Sequence, residues 1–97
     1  MEFIQIIEAR TSDVEPILAL DAEWEKATEG KRTARRSIVT TDRNDPERHL
    51  IIVFFDSYES AMENSALPET QEFAAKWGTL VAGTPTFHDL DVVADRS

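Results

Sequence analysis

The sequence predicts an α+β fold of the ferredoxin-like type, in which helices pack on one face of a four-stranded antiparallel sheet. β-rich apolar segments and helix-type patterns follow one another in the order βαββααβ, as two βαβ halves joined by a hairpin. The run Leu50–Phe55 is apolar at every position, which is typical of a strand with both faces covered. The 97 residues contain no linker or repeat, so we expect one domain over 1–97.

Composition excludes several classes of function. The formal net charge of −9 argues against binding to nucleic acid, because phosphates would be repelled. The chain has no cysteine, which excludes disulfides and thiolate chemistry. No apolar run approaches the roughly 20 residues of a membrane span, and no leader pattern opens the chain. We therefore expect a soluble cytoplasmic protein without a membrane partner.

The first half of the chain begins with a strand over 3–9. Ser12 and Glu15 match a capping box, which predicts a helix that continues to about Thr28. At 100° per residue, Asp21 falls inside the apolar arc of this helix, where a carboxylate needs a partner. Two strands follow, over 33–41 and 49–56, separated by a loop at 42–48.

The second half begins with a short helix over 57–65. Asn64-Ser65 predicts a break, and Pro68 predicts the start of another helix that runs to about Ala82. Gly83 fits the position just after a helix end. The last strand is predicted over 86–93.

The run Leu50–Phe55 also predicts an oligomer. Two helical segments can cover only one face of the sheet, and the simplest cover for the other face is a second copy of the same sheet. We therefore expect a homodimer with sheet-to-sheet packing. The edge strands carry Arg35 and Arg36 on one side and Asp89 and Asp91 on the other. These charges either pair across the dimer or remain solvated.

Two segments resemble a known family. FFDSYESAMENSALPETQEFAAKW (54–77) and TPTFHDLDVV (84–93) are similar to the strand, broken helix and closing strand of the antibiotic biosynthesis monooxygenase-like family. This family is part of the dimeric α/β-barrel superfamily, whose members are homodimers with a pocket between sheet and helices. Some members oxidise phenolic or quinol substrates with dioxygen and no cofactor. The resemblance therefore implies a dimeric α/β barrel, a small aromatic ligand and no cofactor.

The resemblance does not extend to the haem-degrading members. Those proteins carry an asparagine on the first strand, where this chain offers only Gln5, and a histidine on the later helical stretch, where this chain has none. A metal site is not predicted either. Strand alternation sends His88 to one face of the sheet and Asp89 and Asp91 to the other.

The candidate site residues fall into two groups. The catalytic candidates are the two proton acceptors Asp21 and His88, together with Asn64, which either faces a ligand at the helix break or caps the end of the helix. The substrate-binding candidates are the aromatic and cationic side chains expected around a pocket: Trp24, Arg36, Phe55, Tyr58 and Trp77. For the tryptophans the alternative is a purely structural place in the core.

Two functions from different classes are compatible with these residues. One is a cofactor-independent monooxygenase acting on an aromatic, quinol-like small molecule. The other is a non-catalytic homodimeric protein that binds a small ligand or assists a pathway enzyme. No nucleophile elbow, P-loop or dinucleotide fingerprint is present among only three glycines.

Overall fold

A computed structural model describes residues 1–96 of the protein. A four-stranded antiparallel sheet carries three helices in the predicted order βαββααβ. The ferredoxin-like α+β fold is thus confirmed. The elements are β1 (Phe3–Arg10), α1 (Glu15–Ala27), β2 (Arg36–Asp42), β3 (Asp45–Phe55), α2 (Tyr58–Ala66), α3 (Pro68–Trp77) and β4 (Ala82–Asp91).

The strands lie in the order β2-β3-β1-β4, so β2 and β4 form the edges as the sequence predicts. Ile52 of β3 lies opposite Ile6 of β1 and Ile38 of β2. Because directly opposed residues point to the same side, these three isoleucines share one face of the sheet. Val53, paired with Gln5 and Ser37, points to the other face.

The core lies between the helices and the face of the sheet that contains Val53. Its buried cluster consists of Phe3, Ile51, Val53, Phe55 and Ala61. The rings of Phe3 and Phe55 lie 6.3 Å apart between centroids. Along β3 the buried class occurs at every second residue from His49 to Phe55, although the run from Leu50 onward is continuously apolar. The alternate residues are only partly buried in the single chain.

The start of α1 differs from the predicted capping box. The side chain of Asp13, rather than that of Ser12, accepts a hydrogen bond from the Glu15 backbone N–H at 3.1 Å. Thr11 in turn accepts from the Asp13 N–H at 3.2 Å. An Asx turn therefore satisfies the first free N–H of the helix, one residue later than predicted.

The helix break lies at Leu67 and not at the predicted Asn64-Ser65. Leu67 has an extended backbone, with φ −61° and ψ 132°, between α2 and α3. Pro68 explains this position, because proline disfavours the helical conformation in the residue before it. Asn64 consequently lies in the last turn of α2.

Helix α3 ends at Trp77, and the predicted continuation to Ala82 is wrong. After Gly78 the backbone bonds change from the i−4 to the i−3 pattern, with Thr79 donating to Lys76 O at 3.1 Å. Gly83 has a φ of +73° but lies within β4, where the β1–β4 register shifts. Its left-handed backbone therefore makes a strand irregularity and not a helix end.

The predicted loop 42–48 is also shorter in the structure. Asp42 pairs with Asp45, so β2 and β3 are joined by a tight turn over Arg43-Asn44. The Asp42 carboxylate accepts from the Asn44 N–H at 2.8 Å, which stabilises this turn. No helix within residues 1–96 is long and apolar enough to cross a membrane.

His49 is a structural residue in the core. It is 2% exposed, and its two ring nitrogens lie 3.1 Å from the Thr11 carbonyl oxygen and 3.0 Å from Thr41 Oγ1. A carbonyl oxygen can only accept, so Nε2 donates to Thr11. Nδ1 shares a hydrogen bond with the Thr41 hydroxyl, which can donate or accept. The imidazole thus joins β2, β3 and the loop after β1.

Replacing His49 with alanine should lower the free energy of unfolding by about 2–4 kcal/mol, because it creates a void in the core and removes the hydrogen bond to the partly buried Thr11 carbonyl. Urea unfolding followed by circular dichroism measures this change. Glu47→Ala, on the exposed part of the same strand, is the control and should change stability by less than about 0.5 kcal/mol. Equal effects from the two variants would refute the structural role of His49.

Candidate active site

A cavity of about 370 Å³ lies between the sheet and the helices. Its floor is mostly apolar and comes from strands β1, β2 and β3, with Ile7, Val39 and Ile51 among its residues. Side chains from α1, α3 and β4 form the walls. Five aromatic side chains take part in this lining: Trp24, Phe55, Phe73, Trp77 and Phe87.

Helix α3 covers the cavity but contributes no fully buried residue to the core. It packs on α1 and α2. Trp24 Nε1 donates to Thr70 Oγ1 at 3.0 Å, and Lys31 Nζ pairs with Glu69 Oε2 at 2.5 Å. The Lys31 ammonium also holds the pKa of Glu69 below its ordinary value. These polar links and the apolar inner side of α3 hold the helix above the aromatic walls.

Asp21 is the only ionisable side chain that lines this cavity within residues 1–96. Its carboxylate is partly buried on α1 and makes no hydrogen bond or ion pair within the described chain. Burial raises its pKa above the ordinary value, and the neighbouring Glu25 adds to this, while Arg32 opposes it. A carboxylate with a raised pKa beside a cavity is suited to accept a proton.

The position of Asp21 has a consequence for stability. Between the unfolded value of 3.8 and the raised folded pKa, the folded chain binds more protons than the unfolded chain. The ionised carboxylate therefore lowers the free energy of unfolding. The loss is complete at pH values above the folded pKa of Asp21 and absent below about pH 3.8. Asp21→Asn should raise the thermal midpoint by roughly 2–5 °C at about pH 7, and the gain should disappear at about pH 3.

Thermal scans of wild type and variant across this pH range test the prediction. Glu23→Gln removes a charge from an exposed position of the same helix and serves as the control for net charge. A gain of equal size in both variants, or a gain in Asp21→Asn that persists at low pH, would contradict the assignment.

Asn64 lies at the end of the cavity nearest to α2 and is 5% exposed. Its Oδ1 accepts from the Thr33 backbone N–H at 3.1 Å, so it joins α2 to the segment before β2. The end of α2 is capped differently, by Leu67 N–H donating to the Asn64 carbonyl at 3.3 Å. The side chain is therefore not a helix cap. Its Nδ2 makes no hydrogen bond within residues 1–96 and is available to a ligand.

Three predicted residues lie outside the cavity. His88 pairs with Ile6 and Arg36 pairs with Phe54, which places both on the opposite face of the sheet. His88 Nε2 lies 3.3 Å from Glu8 Oε1 there. Tyr58 is 50% exposed at the start of α2.

These positions separate the predicted residues into two sets. The Tyr58 ring packs edge-on against Phe3 at 5.4 Å. The Arg36 guanidinium lies 5.5 Å from the centre of the Phe54 ring. The structure therefore brings together Asp21, Asn64, Trp24, Phe55 and Trp77 at one cavity. It does not bring His88, Arg36 or Tyr58 to it.

Sequence reasoning missed the polar residues of the floor. Gln5 and Ser37 both lie opposite Val53 and line the cavity. Gln5 Nε2 also donates to Asp89 Oδ1 at 3.2 Å. The sequence did contain a signal for Gln5, which is the only polar residue in the apolar segment FIQII. Residues two positions apart on a strand share a face, so Gln5 lies on the same face as the core residues on either side of it. No group of His, Cys, Asp or Glu side chains within residues 1–96 is arranged to hold a metal ion.

Solved structures with the same fold span nearly the whole chain. A "putative antibiotic biosynthesis monooxygenase" from Chloroflexus aurantiacus is 22% identical over 100% of this chain and 98% of its own, with a TM-score of 0.74. A protein of the same description from Deinococcus radiodurans is 15% identical over 100% and 97%, with a TM-score of 0.77. A conserved protein from Methanosarcina mazei is 9% identical over 93% and 91%, with a TM-score of 0.80.

No protein-family model and no curated protein matches the sequence. The structural comparisons nevertheless agree with the resemblance inferred from residues 54–77 and 84–93. This chain has the ferredoxin-like fold of the antibiotic biosynthesis monooxygenase-like proteins.

Proposed function

We propose that the protein is a cofactor-independent monooxygenase that oxidises a small hydroxylated aromatic molecule inside this cavity. The observation that carries the proposal is the pairing of aromatic walls with one unpaired carboxylate, Asp21. The volume of about 370 Å³ lies at the lower end of the roughly 300–1,000 Å³ usual for small-ligand sites. A ligand of two or three fused rings suits such a space.

Each part of the lining has a role in this reaction. Asp21 accepts the phenolic proton, which converts the ligand into an electron-rich anion. The Asn64 amide and the Ser37 hydroxyl are donors that stabilise negative charge on the ligand oxygen. Trp24 and Trp77 hold the rings and exclude water from the reacting carbon.

The electron balance requires no bound metal or external reductant. For an anthrone-type substrate, Asp21 accepts the hydroxyl proton of the enol tautomer, and dioxygen attacks the opposite ring carbon, which bears two hydrogens in the keto form. One oxygen atom becomes the new carbonyl, and the other leaves as water with those two hydrogens. The substrate supplies all four electrons that reduce dioxygen.

The test is oxygen uptake by the protein after treatment with a chelator, against a panel of dihydroxynaphthalenes and anthrones. We expect saturable uptake, one quinone formed per dioxygen consumed, and one labelled oxygen atom in the product when ¹⁸O₂ is supplied. Heat-denatured protein controls for spontaneous oxidation. Ligand binding without any uptake would instead indicate the non-catalytic binding protein.

We also propose that two copies pair through the face of the sheet that carries no helices. This face presents an apolar set of residues that the single chain leaves partly exposed, among them Leu90 at 44%. The set consists of Ile4, Ile6, Ile38, Leu50, Ile52, Phe54 and Leu90. A contiguous apolar face of this kind is typical of a protein contact, and an identical sheet is complementary to it in shape.

The border of this face is polar. Arg48 donates to Glu8 Oε2 and Asp42 Oδ2, each at 3.0 Å, and His88 contacts the same glutamate. Arg48 lowers the pKa of Glu8, chiefly through its hydrogen bond. An apolar centre with a polar rim is the usual arrangement of a protein interface.

A further inference from the structure

We infer that the cavity selects its ligand by charge, admitting neutral hydroxylated aromatics and rejecting the same rings when they carry a carboxylate. The inference rests on the proposed function, in that it takes a hydroxylated aromatic as the ligand. It adds the substrate class: neutral molecules without an acidic substituent.

Among the described residues, the lining of the cavity offers no counter-charge to an anion. Within residues 1–96 no lysine, arginine or histidine lines the cavity, so no cation is available to pair with an anionic substituent. The polar lining residues other than Asp21 are all uncharged: Gln5, Ser37, Asn64, Ser65, Thr70 and Gln71. A ligand carboxylate would therefore lose its hydration and gain no counter-charge.

Two cations beside the helices around the cavity, Arg32 and Lys31, already have partners. Arg32 influences Asp21, but its guanidinium donates to the Glu25 backbone carbonyl and lies 5.8 Å from the centre of the Trp24 ring. Lys31 is paired with Glu69. Arg32 is thus bound to the last turns of α1 and Lys31 to the first turn of α3.

Asp21 would also repel an anionic ligand. A ligand carboxylate within the cavity would lie close to the Asp21 carboxylate, in surroundings less polar than water. At an effective dielectric constant of about 20, two like charges some 6 Å apart weaken binding by roughly a hundredfold. The net charge of −9 acts in the same direction on an approaching anion.

The test compares two ligands of the same size and shape, 3-hydroxy-2-naphthamide and 3-hydroxy-2-naphthoate. Calorimetric titration at about pH 7.5, where the naphthoate carboxylate is ionised, measures both affinities. Tryptophan quenching then locates the ligand, because the only two tryptophans of the chain, Trp24 and Trp77, both line the cavity. We expect the amide to bind at least about tenfold more tightly than the carboxylate.

The variants identify the group responsible. Asp21→Asn removes the repulsion and should reduce the preference by at least about threefold, leaving the part caused by the missing counter-charge, and Glu23→Gln, with the same change in net charge, should retain the full preference. Circular dichroism verifies that both variants are folded. Equal binding of the two ligands by the wild type, or an undiminished preference in Asp21→Asn, would overturn the inference.

Two further outcomes separate this inference from the proposed function. If the amide binds selectively but no substrate of the panel consumes oxygen, charge selection stands and the monooxygenase proposal fails. If neither ligand binds, the cavity does not take hydroxylated aromatics, and the inference is refuted.

Discussion

Replacing Ile52 with arginine is expected to convert the proposed dimer into monomers. Ile52 lies on the central strand β3, between Ile6 and Ile38, at the middle of the apolar face. In a two-fold interface the substitution occurs on both sides. An unpaired charge buried there costs roughly 3–5 kcal/mol, which corresponds to more than about a hundredfold weaker association.

Light scattering coupled to size-exclusion chromatography at micromolar concentration measures the outcome. Leu18→Arg is the matched control, because Leu18 is an aliphatic side chain that is 40% exposed on α1, away from this face. We expect that control to keep the mass of the wild type. A wild type that is itself monomeric, or an Ile52→Arg variant that remains dimeric, would contradict the proposed interface.

Replacing Asp21 with asparagine is expected to lower kcat/KM for an active hydroxylated aromatic by about a hundredfold or more. The amide keeps the size of the side chain but cannot accept the phenolic proton, and general base catalysis typically contributes about 10²–10⁴ in rate. The same substitution should stabilise the fold at neutral pH, because it removes a partly buried charge. Loss of turnover together with a gain in stability would distinguish a catalytic role from a structural one.

Oxygen-uptake kinetics at saturating dioxygen provide this measurement. Glu23→Gln, exposed on the same helix, should retain turnover within about a factor of two. Asp21→Asn with unimpaired kcat/KM would exclude Asp21 as the base. The monooxygenase would then need another proton acceptor, and no other ionisable side chain within residues 1–96 lines the cavity.

Asn64 is a poorer probe of catalysis than sequence reasoning suggested. Its Oδ1 accepts the Thr33 N–H, so Asn64→Ala would leave a backbone donor without its partner and weaken the link between α2 and β2. A loss of activity in that variant would not separate a ligand contact from a structural defect. Asp21, which makes no bond within the described chain, does not have this ambiguity.

The sequence by itself determined the order of the elements, the identity of the edge strands and the apolar character of both faces of β3. These properties follow from local patterns: apolar runs, Pro68, and the arc that contains Asp21. Element ends were predicted less well. The side chain of Asp13, and not that of Ser12, accepts from the first N–H of α1, because polar side chains close together in sequence compete for the same free N–H groups.

Only the tertiary structure decided which candidates share a cavity. Asp21, Asn64 and Trp77 lie on three different helices that converge over one face of the sheet, whereas His88 points to the other face. A strand residue changes face with a shift of a single position in register, and register depends on pairing between strands distant in sequence. Local patterns identify the elements of this protein, but long-range packing selects the side chains that line its candidate active site.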